Sequence, residues 1–64
     1  MDEPSANSEQ DRLRAAELAA AARHLAMEGD YTGALEKYEQ SIRLHDDESV
    51  RQAYFKLLAM VGPL

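Results

Sequence analysis

Residues 29–44 read GDYTGALEKYEQSIRL, and the rest of the chain is read outward from them. Tyr31, Ala34, Leu35, Tyr38 and Ile42 recur at steps of three and four, which is one apolar face of a helix. That helix is predicted over residues 31–44, opening between Asp30 and Thr32. Gly29 supplies the left-handed residue that ends a preceding helix. Ala34 is small where a second helix crosses closely. Tyr38 fills the groove one turn on, and Ser41 keeps the next contact small. Glu39 and Arg43 stand at i, i+4 with the acid first, a spacing that favours an ion pair.

Upstream, a helix is predicted over residues 9–28. Its apolar face is Ala15, Leu18, Ala19, Ala22, Leu25 and Ala26, and seven of the eleven alanines of the chain lie between Ala15 and Ala26. Ala22, nine residues before Tyr31, is placed where the two helices touch. Ser8 with Asp11 forms a capping-box-like pair. Residues 1–7 (MDEPSAN) read as a disordered acidic lead-in.

Downstream, Asp46 or Asp47 caps a third helix over residues 48–60. Val50, Ala53, Tyr54, Leu57, Leu58 and Val61 form its core stripe, the strongest periodicity in the chain. Gly62-Pro63 ends it, and residues 63–64 are a tail. All twelve acids precede Ser49, whereas Arg51 and Lys56 follow it. Connections this short make neighbouring helices antiparallel. The expected fold is all-α, an antiparallel three-helix bundle over residues 8–62. Its packing residues are Ala22, Leu25, Gly29, Tyr31, Ala34, Tyr38 and Leu57, and the third helix closes the open side of the first two.

Composition narrows the function. The chain has 64 residues, no cysteine and a formal net charge of −5. A chain of this length buries only about 60% of its unfolded surface, so it leaves little room for a catalytic pocket. Absence of cysteine removes disulfides, thiolate metal sites and a thiol nucleophile. His24 reads as a surface residue, and His45-Asp46-Asp47 as a solvated cap rather than a metal site. No enzyme activity, metal or cofactor is expected. The dispersed bases argue against nucleic acid, and no apolar run is long enough to span a membrane. The acidic start is unlike a signal peptide, so a cytoplasmic protein is expected. Met1 is expected to be the natural start, and Gly62-Pro63-Leu64 the edge of a domain cut at its last helix.

The pattern Gly29-Asp30-Tyr31 … Ala34 … Tyr38 … Ser41-Ile42 … Leu44 resembles the second helix of a tetratricopeptide repeat. It also resembles that of the MIT domain (the microtubule-interacting and trafficking domain), a three-helix relative. The repeat resemblance covers residues 15–44, and the MIT resemblance residues 12–61. The chain departs from the repeat at Leu18 and Leu25, where the repeat carries aromatics, and at Asp46, where it carries Pro. It departs from MIT domains in its shorter second helix and at Ala26, where they often carry an acid. The MIT resemblance implies docking of short motifs from ESCRT-III tails in a groove beside the third helix, with an endosomal association. The site residues it implies are Gln52, Phe55, Lys56 and Ala59, with Arg51 and Lys56 pairing acids of the motif. The repeat resemblance implies instead a peptide site on the first helix, around Arg14, Leu18, Ala21 and Leu25.

The residues themselves single out Phe55. It falls off the core stripe with Ala59 one turn on, as in the floor of a docking groove. The expected function is a non-catalytic adaptor that docks a protein or peptide motif. The competing reading is a self-association module that buries the alanine-rich first helix and Ala59-Met60-Val61 against a second copy. A monomer is expected ahead of a homodimer.

Overall fold

The structure, a computed structural model, describes residues 4–62, with side-chain surroundings from Glu9 onward. It is all-α: α1 (Pro4–Glu28), α2 (Tyr31–Leu44) and α3 (Glu48–Val61). α1 starts earlier than the sequence pattern placed it and takes in residues 4–7 of the expected lead-in. Pro4 is tolerated there because the N–H it lacks is one that a first turn leaves unpaired. The helix runs through Ser8, which is therefore not its cap. Residues 1–3 of the lead-in and the 63–64 tail lie outside the described residues.

The α1–α2 connection is two residues long and is held at both ends. Gly29 has φ 92°, open to glycine and strained for other residues. Its N–H donates to the Ala26 carbonyl at 3.1 Å, and the Asp30 N–H donates to the Leu25 carbonyl at 2.8 Å. This is the Schellman pair that closes a helix. Asp30 then opens α2, its carboxylate accepting from the Gly33 N–H at 3.1 Å. A Cβ on Gly33 would sit 2.8 Å from an Asp30 carboxylate oxygen, so this glycine leaves room for the cap.

Such a tight turn lays α2 back along α1. Ala19, Ala22, Ala34 and Tyr38 are buried together with Leu57 of α3. Ala22 and Ala34 expose nothing at all. One turn toward the other end, the buried Ser41 hydroxyl donates to the Ala15 carbonyl at 2.8 Å. Ala15 and Ser41 being level while Gly29 turns the chain makes the pair antiparallel. The contact is dry, narrow and built from small residues.

α3 is opened by Asp47, whose carboxylate accepts from both the N–H (2.9 Å) and the hydroxyl (3.0 Å) of Ser49. The Ser49 hydroxyl first, then its N–H, lowers the Asp47 pKa below the ordinary aspartate value. The stability contributed by such a group is present above its unfolded pKa and is lost as pH falls through the folded one. Acid titration below the ordinary aspartate range is therefore expected to fray α3 before the α1–α2 hairpin melts. Asp47→Ala should remove this acid step and lower α3 helicity at neutral pH. Site-resolved amide shifts over an acid series check it, and an unchanged α3 in Asp47→Ala would refute it.

α3 packs on α2 and makes only marginal contact with α1. It closes the open side of the hairpin in part, as a three-helix bundle in which Leu57 is buried with Ala19 and Ala22 of α1. Of its predicted stripe, Leu57 is buried and Val50, Ala53 and Tyr54 are half-buried, while Leu58 and Val61 are exposed. α2 alone is too narrow a neighbour to cover them. The expected Glu39–Arg43 pair is absent. The Glu39 carboxylate instead accepts from the Tyr54 hydroxyl at 2.8 Å, tying α2 to α3. That bond first, then burial and the carboxylate charge, raises the Tyr54 pKa. Tyr31, expected among the packing residues, is 37% exposed beside the turn that joins the two helices.

Candidate functional site

The expected partner-binding residues fall on the side of α3 turned away from α2. At about 100° per residue, Gln52, Phe55 and Ala59 share one strip and Lys56 borders it. All four are exposed. Phe55 is 57% exposed, its ring centroid 5.4 Å from that of Tyr54 at a tilt of 52°. The half-buried Tyr54 ring flanks the Phe55 ring, which stays largely exposed. Gln52 Nε2 stands 3.5 Å from a Glu48 carboxylate oxygen, a weak tether.

Arg51 lies apart from this strip. It is half-buried, and its guanidinium pairs with the Asp46 carboxylate at 3.1 Å. Its role as a free cation for an incoming acid is thus reduced to what remains beyond that pair. Lys56 makes no ion pair among the described residues, so it is the better placed of the two.

The structure adds Leu58, next to Phe55, and Val61, at the C-terminal end of α3, to the surface. Together Ala53, Leu57, Val61, Tyr54, Leu58, Phe55 and Ala59 span an apolar arc of roughly 240°. One neighbouring helix covers about half of such an arc. The width of the arc was visible in the sequence and is the signal that marks Leu58 as surface rather than core, whereas Val61 lies between Leu57 and Tyr54 on the arc and is exposed as the last residue of α3. A contiguous apolar patch of this kind marks a contact site.

The alternative strip on α1 is less available. Leu18 is half-buried, Leu25 packs against the core, and only Arg14 and Ala21 are exposed. Where α1 and α3 diverge, Arg12, Ala15, Ala16, Ser41, His45, Asp47 and Val50 line a recess of about 120 Å³. This is well below the size of ordinary ligand pockets. His45 is half-buried there, rather than on a freely solvated loop as the sequence implied, and His24 is exposed.

No family model, curated protein or solved structure matches this chain. The surface is therefore judged on its own chemistry. It offers an aromatic ring, two aliphatic groups and one cation without an ion pair among the described residues. No group of three or more histidine or acidic side chains able to hold a metal occurs among the described residues. No described helix is long and apolar enough to cross a membrane.

Proposed function

We propose that the chain is a non-catalytic interaction module that docks a short amphipathic helix or linear motif of a protein partner along the outer face of α3. The observation that carries this reading is the exposed Phe55 ring between Leu58 and Ala59. An apolar helix face with Phe55 as its anchor is the geometry of helix-in-groove recognition. Lys56 borders the patch, and no acid follows Ser49 in the chain, so the matching motif pairs two or three apolar anchors with a carboxylate. Motifs of the ESCRT-III tail class, implied by the MIT resemblance, are the first to test, which would place the work in the cytoplasm at endosomal surfaces.

Isothermal titration against a panel of acidic–apolar tail peptides tests the reading, with chaperone C-terminal peptides as the comparison. Phe55→Ala should abolish binding and shift folding stability by less than about 1 kcal/mol, as an exposed side chain does. Loss of several kcal/mol would make Phe55 a core residue, and unchanged binding would move the site elsewhere.

A further inference from the structure

Among the described residues, one side-chain hydrogen bond joins α2 to α3, from the Tyr54 hydroxyl to the Glu39 carboxylate at 2.8 Å. Its donor stands at a boundary. At about 100° per residue, Tyr54, Leu58 and Phe55 lie about 60°, 100° and 160° round α3 from the buried Leu57. Tyr54 thus separates the face that packs on α2 from the face that carries Phe55. Its ring is half-buried against the core, with its centroid 5.4 Å from that of Phe55 at a tilt of 52°. One side chain therefore belongs to both faces. Its ring flanks Phe55, and its hydroxyl is held by α2.

We propose that Glu39 and Tyr54 are positioning residues for the docking face, and that their bond sets the orientation in which Phe55 meets its ligand. This rests on the docking reading above and supplies the device that presents its anchor. Packing against the core restricts the Tyr54 ring at its base, and the bond to Glu39 restrains its far end. The ring is then a fixed wall beside Phe55, whose own ring is 57% exposed and has fewer orientations left to lose on binding. Preorganisation of this kind raises affinity without adding a contact to the ligand. Glu39 acts from α2, whereas the ligand lies along the outer face of α3.

The bond also has an electrical requirement. Tyr54 has a single hydroxyl proton to donate, and its loss sets a phenolate against the Glu39 carboxylate. Glu39 is the charged group that acts on the phenol. Arg43, one turn along α2, makes no ion pair with Glu39, and Arg51, one turn before Tyr54 on α3, is engaged by Asp46. The α1 residues of the core that Tyr54 packs on, Ala19 and Ala22, carry no charge. The bond to Glu39, then burial and the carboxylate charge, raise the Tyr54 pKa. Such a group keeps its contribution below the ordinary tyrosine value and loses it as pH rises through the raised one.

Two readouts on the full chain test this, the Phe55 ring-proton shifts of the free protein and titration with the acidic–apolar tail peptides. Tyr54→Phe keeps the ring and removes the donor, and Glu39→Ala removes the acceptor. Each should move the Phe55 ring shifts and weaken peptide binding about three- to tenfold. The double variant should bind no more weakly than either single one, because both remove the same bond. Glu39→Gln keeps an oxygen acceptor and should restore the Phe55 shifts and most of the affinity. In the parent, the Phe55 shifts should also move as pH rises past the ordinary tyrosine range, a step that Tyr54→Phe should lack. Unmoved Phe55 shifts in Tyr54→Phe and Glu39→Ala overturn the proposal, as does the same alkaline step in parent and Tyr54→Phe. Losses that add in the double variant overturn it equally. If no peptide of the panel binds, the docking reading fails, while the free-protein shifts still decide whether Glu39 positions Phe55. If peptides bind through Phe55 and Tyr54→Phe binds as the parent does, the docking reading stands and the positioning role falls.

Discussion

Tyr38→Ala is expected to leave the chain largely unfolded at room temperature. Tyr38 is the only aromatic among the buried residues described, and it sits with Ala19, Ala22, Ala34 and Leu57 where all three helices contribute. Around it the core is alanine, and small side chains cannot relax into the space a removed ring leaves. Truncating a buried aromatic costs about 3–5 kcal/mol. A domain of this length has a total stability of about 3–10 kcal/mol, so the loss consumes a large part of the whole. Urea titration followed by circular dichroism should show a far lower midpoint, or no folded baseline. A midpoint within about 1 kcal/mol of the parent would show that α1 and α2 do not depend on this ring.

Ala34→Leu should act from the opposite direction. Ala34 and Ala22 have no exposed surface, and their smallness sets how closely α1 and α2 approach. Three further carbons at Ala34 must either push the helices apart or force strained rotamers. Overpacking of this kind costs about 1–3 kcal/mol. Separation would also stretch the 2.8 Å bond from the Ser41 hydroxyl to the Ala15 carbonyl, which places the expected cost at the upper end. Ala21→Leu on the exposed side of α1 is the control and should stay within about 0.5 kcal/mol. Equal costs at the two positions would mean that the crossing is not set by residue size.

The hairpin was legible because its chemistry is local. Gly29 and Asp30 are turn and cap residues by type, and the small–large order Ala34, Tyr38, Ser41 is a packing pattern within one helix. The placement of Phe55 outside followed from the same periodicity. What escaped was set by distance between elements. The periodicity of α3 says which residues form a stripe, but the arc that its neighbours cover depends on how far α3 stands from α1. Leu58 and Val61 were assigned to the core on that account and are exposed. Tyr31 was misread for a similar reason, since a residue at the first turn of α2 has core below it on one side only. Glu39 shows a choice between partners: Arg43 lies nearer in sequence, but the half-buried Tyr54 hydroxyl has fewer alternatives and takes the carboxylate. The bond from Ser41 to Ala15 spans 26 residues, and no local rule reaches it.

The marginal contact between α1 and α3 also divides the molecule by depth of opening. α3 is held mainly by α2, through Leu57, its half-buried neighbours and the Tyr54–Glu39 bond. It therefore has an opening equilibrium of its own, shallower than global unfolding, with the His45–Asp47 link as the pivot. Leu57 is the part of the shared core that leaves with it, while Ala22, Ala34 and the Ser41 bond stay closed in the hairpin. A ligand seated on the outer face of α3 that requires α3 in place binds only the closed form, and so it holds a flap shut. Its measured affinity then carries the closed fraction of α3 as a factor, and substitutions inside the α2–α3 contact tune binding without touching the ligand.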